Sequence, residues 1–318
     1  MRWGVVATIK APVADVLNFV AHHLEIGADH LFIYLDDDNP EAQAALDAHP
    51  QVSVTRTDTP YWKAGGKHRP AKHQARQTRN ATHAYTQATT TNLDWLMHMD
   101  VDEFLWAERP LSDLLAALPA KAEAARVRPI EALSPPDGPS AGGVTHFKGF
   151  VPAHGKRQEI SQALFPTFGN YVKGGFLSHV QGKVFVRTGM SDIEIRIHNA
   201  FKNGIELSET VEFSGVDLCH LHVRDWDSWQ AHYRYRHNRG SYRSELKPAI
   251  ATDHGGLTLH QLFAMLEAEN GKNGLRAFFD EVCVARPDLL QALEARGLLR
   301  SYALDLEEKR ARHFPDYG

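Results

Sequence analysis

The sequence predicts an α/β fold in which parallel strands alternate with helices. Four short apolar runs of strand length indicate this fold, at residues 3–9, 31–35, 52–55 and 95–99. The segments between them have the length or the apolar spacing of helices, and such alternation forms parallel βαβ units. The 318 residues are 43% hydrophobic and 23% charged, so the chain is able to bury a full core.

The first half of the chain alternates regularly. The opening strand ends at Lys10, just before Pro12, and the apolar residues at 13, 16, 17, 20 and 24 then share one helix face that Gly27 closes. The second strand stops at the acidic run Asp36–Asp38. The elements expected after it are a short helix (41–48), a strand (52–55), a long polar helix (70–88) and a strand (95–99).

After Phe104 the pattern changes. A helix is expected near 111–118, and strands at 183–187 and 192–198. In the second of these, isoleucines alternate with Asp192, Glu194, Arg196 and His198, which places the polar side chains on one face. Further helices are expected near 226–239, 257–268, 274–284 and 288–299, before a charged tail. We predict one α/β domain over residues 1–245 and a helical C-terminal segment over 246–318.

Composition excludes several classes of protein. Thirty-five Lys and Arg against 39 Asp and Glu give a formal charge of −4, which excludes a strongly basic protein that wraps nucleic acid. Two cysteines, Cys219 and Cys283, are too few for a disulfide framework and favour a reducing compartment. No apolar run approaches the length of a membrane helix or a secretory signal, so a cytoplasmic protein is expected. The 19 histidines are compatible with a metal protein or with a chain that is merely histidine-rich.

Two carboxylates follow the fourth predicted strand. Asp100 and Asp102 are two residues apart, so in extended geometry both point the same way. Ligands of open parallel sheets lie beyond the carboxyl ends of the strands. Two like charges this close repel unless a cation lies between them, and oxygen ligands suit Mg²⁺ or Mn²⁺. The alternative is a solvated acidic turn.

A second acidic group and a basic helix face flank this motif. Asp36 and Asp37 follow the second strand, where a carboxylate accepts hydrogen bonds from a base or ribose hydroxyl, or forms a simple turn. The predicted helix over 70–88 carries one basic stripe, made of Arg69, Lys72, Arg76 and Arg79. Arginine side chains suit phosphate oxygens, although most such stripes are solvated faces.

With these residues assembled, the sequence resembles the glycosyltransferases of the GT-A fold, and most of all the bacterial family-2-like enzymes that carry a D-x-D-E-F stretch. The resemblance spans about residues 3–240. The matching pieces are Lys10, His22 through His30, Phe32 through Asp37, Gln74, Arg79-Asn80, Asp94 through Phe104, Gly182 through Arg187, His220-Leu221-His222 and Trp226 through Trp229.

The resemblance implies roles for these residues. Asp100 and Asp102 would hold the divalent ion that bridges the diphosphate of a nucleotide sugar, and Asp36 or Asp37 would contact the nucleoside. The candidate donor-binding residues are Lys10, Asp36, Asp37, Arg69, Lys72, Gln74, Arg76, Arg79 and Asp100. Two departures stand out: three consecutive Asp end the second strand, and His-Leu-His replaces the usual His-Tyr.

Histidines and a further acidic pair complete the candidate site. His220 or His222 is expected as a third Mn²⁺ ligand, with His198 as a weaker candidate and a structural role as the alternative. If the reaction inverts the anomeric carbon, a carboxylate must deprotonate the acceptor hydroxyl, and Asp192 and Glu194 are the candidate bases. They would otherwise form a salt-bridged solvated edge. Trp226, Trp229 and Tyr233 form an aromatic stripe, with core packing expected over sugar stacking.

The leading hypothesis is therefore a metal-dependent transferase that moves a sugar from a nucleotide sugar, with a UDP-sugar favoured, to a glycan or lipid acceptor. A sugar-1-phosphate nucleotidyltransferase is the second interpretation, and Thr8 through Pro12 lack the glycine-rich phosphate loop that it needs. A nucleotide- or sugar-binding protein without turnover is the third. The charged tail over 301–318 is expected to be solvated, or to lie on a membrane surface near a lipid acceptor.

Overall fold

A computed structural model describes residues 1–64, 66, 68–136 and 143–317. The strands, in chain order, are β1 (Trp3–Ile9), β2 (His30–Leu35), β3 (Val52–Arg56), β4 (Trp95–His98), β5 (Glu103–Ala107), β6 (Ala124–Ala132), β7 (Val144–Lys148), β8 (Lys183–Arg187), β9 (Ile193–Ile195), β10 (Ala200–Lys202), β11 (Ile205–Glu206), β12 (Thr210–His220) and β13 (Leu299–Ala303).

The α-helices of the described residues are α1 (Val13–Glu25), α2 (Pro40–Asp47), α3 (Thr59–Ala64), α4 (His73–Ala88), α5 (Leu111–Ala116), α6 (Arg157–Leu164), α7 (Trp226–Asn238), α8 (Leu259–Val282), α9 (Pro287–Glu294) and α10 (Leu306–His313). Two compact units result. Unit 1 comprises residues 1–128, 181–218 and 305–318, and unit 2 comprises 129–180 and 219–304. The predicted boundary at residue 245 falls inside unit 2.

The sheet of unit 1 is mostly parallel. Its order is β3-β2-β1-β4-β8 and then the first part of β6, with the first four strands parallel and β8 antiparallel to both β4 and β6. β1 and β2 are buried along nearly their whole length, as expected for parallel strands covered on both faces. The predicted α/β class is therefore confirmed.

Helix α4 covers one face of this sheet. Ala81, Ala84 and Ala88 are fully buried, and they pack with Leu96 of β4 and Val6 of β1 in one apolar cluster. Small side chains on the inner face let the helix axis approach the strands closely. The N-terminal end of α4 consequently lies at the carboxyl ends of the parallel strands, because the helix connects β3 to β4 and runs antiparallel to them.

Unit 2 combines a small antiparallel sheet with helices. β7 pairs with β13 and with the last residues of β6. The core brings together side chains of α6, α7, α8 and α9, and Trp229 and Tyr233 are buried in it. The aromatic stripe of α7 therefore packs in the core, with Trp226 at its edge.

One part of the C-terminal region follows the sequence pattern and another differs from it. The two helices expected over 257–268 and 274–284 are both present within α8, on either side of the non-helical residue Gly271. A strand, β13, replaces the start of the expected tail, because Leu299–Ala303 pairs along the whole of β7. Local periodicity does not reveal a short strand whose partner lies far away in the sequence.

The end of the chain packs on helix α1 within unit 1. Arg310 donates to the side chain of Asn18 (3.1 Å), and both Arg312 and His313 reach Glu25 (2.9 Å each). The contact with His313, followed by that with Arg312, lowers the pKa of the exposed Glu25 carboxyl. No helix among the described residues is long and apolar enough to cross a membrane.

Candidate functional site

The carboxyl ends of β1, β2 and β4 lie side by side and carry the predicted polar residues. Lys10 follows β1, the run Asp36–Asp38 follows β2, and Asp100 and Asp102 follow β4. The parallel registers, in which Val5 lies opposite both Leu31 and Met97, bring these ends to the same edge of the sheet. This edge is where ligands bind in open α/β sheets.

Three side chains hold the Asp36 carboxylate at this edge. Its side chain is fully buried, and it pairs with Arg69 (2.9 Å) and Arg76 (2.7 Å), with the ring of His73 at 3.4 Å. Burial alone would raise the pKa of this carboxyl, but the hydrogen bonds from His73, Arg76 and Arg69 outweigh it and hold the pKa well below its usual range. Asp36 therefore anchors the entry to α4 as an ionised group.

Asp37 differs from its neighbour. One of its carboxylate oxygens, Oδ1, is buried and has no hydrogen-bond partner among the described residues. Burial raises its pKa, partly offset by the charge of Lys10. The carboxylate lines a cavity of about 260 Å³ formed with Asp38, Asp58, Arg56 and other residues after β2 and β3. Asp38 pairs with Arg56 at 3.2 Å and is mostly exposed.

Asp100 is also engaged by protein groups. Lys183 donates to its Oδ2 atom at 2.5 Å, and Gln77 of α4 donates to Oδ1. Lys183 lies 3.2 Å from Glu103, which in turn accepts a hydrogen bond from the Asp100 backbone N–H at 2.9 Å. Asp102 is half-buried in the turn that follows. The Asp100 carboxylate is therefore already paired with a positive charge of the protein, the ammonium group of Lys183.

The backbone at Gly182 explains how Lys183 enters the site. Gly182 has a φ of +75°, and a Cβ there would overlap the carbonyl oxygen of Val127 on β6. Only glycine fits this close approach of two strands. Lys183 then begins β8 directly opposite Val127. His198 completes the local contacts, with its Nδ1 atom 2.9 Å from the Gly182 carbonyl oxygen.

The predicted basic stripe divides into two groups. Arg69 and Arg76 bind Asp36, as described above, and Arg79 reaches the carbonyl oxygen of His68 (3.2 Å). Lys72 is the N-cap residue of α4. Together with Gln74 it lines a second cavity of about 430 Å³, whose other wall includes Arg196, His198 and Phe201.

The two candidate bases are held differently. Asp192 is exposed, with a φ of 59° just before β9. Glu194 lies on β9, where it pairs with Arg196, whose guanidinium lies 3.9 Å from the ring centre of Phe201. The buried Ile193 and Ile195 follow the predicted alternation, but the strand ends at Ile195 and is shorter than the expected 192–198.

The two leading histidine candidates, His220 and His222, belong to unit 2. His220 ends β12 and His222 follows, both are buried, and their ring centres are 5.2 Å apart. His179 lies 5.2 Å from His220, and Nε2 of His222 lies 3.0 Å from the hydroxyl of Tyr242. These imidazoles offer nitrogen donors of the kind that Mn²⁺ accepts.

Sequence reasoning missed the residues that fix the carboxylates. Lys183, Gln77 and Glu103 surround Asp100, and in unit 2 a buried pair joins Glu131 to Lys148 at 2.7 Å. A lysine directly beside apolar strand residues was the available signal, since Lys183 precedes Val184-Phe185-Val186 and Lys148 follows Phe147. Lysine is almost never fully buried unless it is paired.

Comparisons with known proteins give low similarity. No protein-family model matches the chain, and no curated protein matches it. Among solved structures, mannose-1-phosphate geranyltransferase from Thermus thermophilus is 10% identical, with 59% of this chain and 58% of that chain covered and a TM-score of 0.30. The CMP:2-keto-3-deoxy-manno-octonic acid synthetase complexed with CTP is 16% identical, with 48% and 61% covered and a TM-score of 0.27.

A third solved structure is the galactosyltransferase LgtC in complex with donor and acceptor sugar analogs, at 12% identity, with 58% of this chain and 57% of that chain covered and a TM-score of 0.27. The chain spans about six-tenths of the length of the first two structures. Similarities this low assign no activity. The strand order of unit 1 is itself consistent with the Rossmann-like sheet of a GT-A fold.

Proposed function

We propose that this protein is a metal-dependent glycosyltransferase that moves a sugar from a nucleoside-diphosphate sugar, with UDP favoured, to a glycan or lipid acceptor. The proposal places the reaction in the cytoplasm or at the inner face of the membrane, in the synthesis of cell-surface polysaccharide or glycolipid. One observation carries it: in the cavity after β2, the Oδ1 atom of Asp37 is buried and has no hydrogen-bond partner among the described residues.

An unpartnered buried acceptor favours a ligand that donates hydrogen bonds. Leaving such an atom unsatisfied costs about 1–3 kcal/mol, so a donor that reaches it gains at least part of that amount. A nucleoside offers N–H and O–H donors of this kind. In the same cavity Arg56 and Arg69 are paired with Asp38 and Asp36, so the Asp37 oxygen favours the N–H and O–H donors of a base or ribose over a phosphate. Lys10, beside Asp37, adds a further cation at this edge.

The proposed metal is Mn²⁺ or Mg²⁺, with carboxylate oxygen among its ligands in the segment after β4, where the sequence predicts Asp100 and Asp102. When bound, such an ion neutralises the charge that develops on a nucleoside diphosphate as it leaves. The prediction that His220 or His222 adds a ligand stays part of the proposal. His222→Ala tests it, since Mn²⁺ affinity that does not change would remove His222 from the ligand set.

For deprotonation of the acceptor we propose Asp192 over Glu194. The carboxylate of Glu194 is already paired with the guanidinium of Arg196, which competes with an acceptor hydroxyl for its oxygens. Asp192 is exposed. Asp192→Asn should lower kcat by roughly 100-fold or more with little change in donor affinity. A variant that keeps full activity would exclude Asp192 as the base.

The decisive test compares Asp37→Asn with Asp38→Asn. The amide in the first variant keeps the shape of the side chain and removes its charge, so the Kd for UDP, measured by calorimetry with Mn²⁺ present, should rise about tenfold, equivalent to about 1.4 kcal/mol. Asp38 is exposed and paired with Arg56, so its variant should change the Kd less than about threefold. Equal effects of the two variants would contradict the assigned role of Asp37.

Product analysis separates the three candidate functions. A glycosyltransferase releases the nucleoside diphosphate from its donor, whereas a nucleotidyltransferase releases pyrophosphate from a nucleoside triphosphate. Binding of UDP or GDP without either product would support a non-catalytic binding protein. A screen of UDP-, GDP-, CMP- and dTDP-sugars by thermal shift identifies the donor.

A further inference from the structure

Lys183 is a fully buried lysine inside the proposed donor site. Its ammonium group lies 2.5 Å from Asp100 and 3.2 Å from Glu103, and Glu103 is also fully buried. The Asp100 carboxylate is about one-third exposed, so it forms the boundary between this buried network and the surface. A lysine at this position brings a permanent positive charge to the motif that would otherwise attract a free cation.

Both oxygens of Asp100 are involved in this network. Oδ2 accepts from Lys183, and Oδ1 accepts from Gln77, which is itself buried in α4. Glu103 accepts from the Asp100 N–H, so the backbone and side chain of Asp100 are fixed together. A divalent cation that bound Asp100 would have to displace these donors and would be repelled by the nearby ammonium group.

We propose that Lys183 is a positioning residue that supplies a built-in cation to Asp100, so that a divalent ion is bound through Asp102 and not through Asp100. The inference rests on the proposed function for its metal. It also accounts for Gly182, since only a glycine at that point lets β8 approach β6 and deliver Lys183 to the network.

The test is Mn²⁺ binding in the absence of nucleotide, monitored by the electron paramagnetic resonance signal of the free ion. Four variants are compared with the wild type: Asp100→Asn, Asp102→Asn, Lys183→Met and the double variant Lys183→Met/Asp100→Asn. Circular dichroism and thermal melts confirm that each is folded.

The expected pattern is specific. Asp100→Asn should leave the Kd for Mn²⁺ within about threefold of the wild type, and Asp102→Asn should raise it more than about tenfold. Lys183→Met should lower the Kd by about tenfold or more, because Asp100 then becomes available to the ion. That gain should disappear in the double variant. A purely structural role of Lys183 would not produce a gain that depends on Asp100.

Other outcomes overturn the inference. An Asp100→Asn variant that loses Mn²⁺ binding as strongly as Asp102→Asn contradicts it. This comparison does not depend on whether Lys183→Met folds. In Asp100→Asn, Lys183 keeps Glu103 as a buried partner. If the wild type binds no Mn²⁺, the metal of the proposed function is wrong. The role of Lys183 is then tested by whether Lys183→Met creates binding that requires Asp100, and it is overturned if none appears.

Discussion

A buried ion pair in unit 2 shows how single residues fix the loops of this protein. Glu131 binds Lys148 and also accepts the backbone N–H groups of Leu177 (2.9 Å) and Ser178 (2.6 Å). Lys148 donates in turn to the carbonyl oxygens of Gly175 and Val282. The segment that leads to His179 is therefore attached to β6 and β7 by charge-assisted hydrogen bonds.

Glu131→Gln should destabilise the protein by about 3–5 kcal/mol, because it leaves the ammonium group of Lys148 buried without a countercharge. Urea denaturation measures the difference. The control is Glu212→Gln, which breaks the exposed pair with Arg128 and should cost less than about 1 kcal/mol. Similar losses in the two variants would show that burial does not determine the strength of the Glu131 contact.

A buried histidine couples stability to pH. His23 in α1 is fully buried and stacks on Phe104 with an interplanar angle of 6°. Burial lowers the pKa of His23 to about 4, in spite of the hydrogen bond to the Phe19 carbonyl oxygen. In the unfolded chain its pKa is about 6.5. The unfolded state therefore binds a proton between these two values, and the folded state does not.

The stability that His23 contributes should consequently be present above about pH 6.5 and fall as the pH drops toward about 4. His23 adds a slope of about 1.4 kcal/mol per pH unit over this window. His23→Phe should remove that part of the slope in urea titrations at several pH values. His154, which is exposed, gives the control His154→Gln with an unchanged slope. Equal slopes for the wild type and His23→Phe would contradict the prediction.

Among the helices, α8 shows how one residue divides an element. Its 24 residues include Gly271, whose φ of 57° and ψ of −137° lie outside the helical region. The sequence predicts two helices, one on each side of this point, and the structure has the break at Gly271. Glycine adopts such a conformation without the steric penalty that a Cβ brings.

Gly271→Ala should destabilise unit 2 by about 1–3 kcal/mol through backbone strain alone, since there is open space around a Cβ at this position. Thermal unfolding measures it. Glu269→Ala, an exposed position of the same helix, is the matched control and should change stability by less than about 0.5 kcal/mol. A stabilised Gly271→Ala variant would mean that the helix straightens through this point.

Strands were predictable where they are apolar and parallel. β1, β2 and β4 were expected from their runs of apolar residues, because strands covered on both faces carry a continuous apolar pattern. The edge strand β3 was expected from Val52 and Val54, which alternate with polar residues. β5, β6, β7 and β13 were not expected. These segments are short, or they include polar and charged residues. They form strands because each pairs with a strand from a distant part of the chain.

At the scale of the whole molecule, the chain order conceals the compact units. Unit 1 is assembled from three separate stretches and unit 2 from two. A boundary placed along the sequence cannot describe units of this kind. The strands β6 and β12 each begin in unit 1 and continue into unit 2, so these unit boundaries fall inside strands and no loop marks them.

The sequence by itself determined the α/β class, the acidic strand ends after β2 and β4, and the core role of the α7 aromatic residues. Each of these depends on local periodicity, which the order of residues contains directly. The tertiary structure decided the partners of those acids. Asp36 binds Arg69 and Arg76, Asp37 keeps an oxygen without a partner among the described residues, and Asp100 meets Lys183 from 83 residues away. Electrostatic interactions depend on the distance between groups in space, and folding determines that distance. The order of residues does not contain it directly.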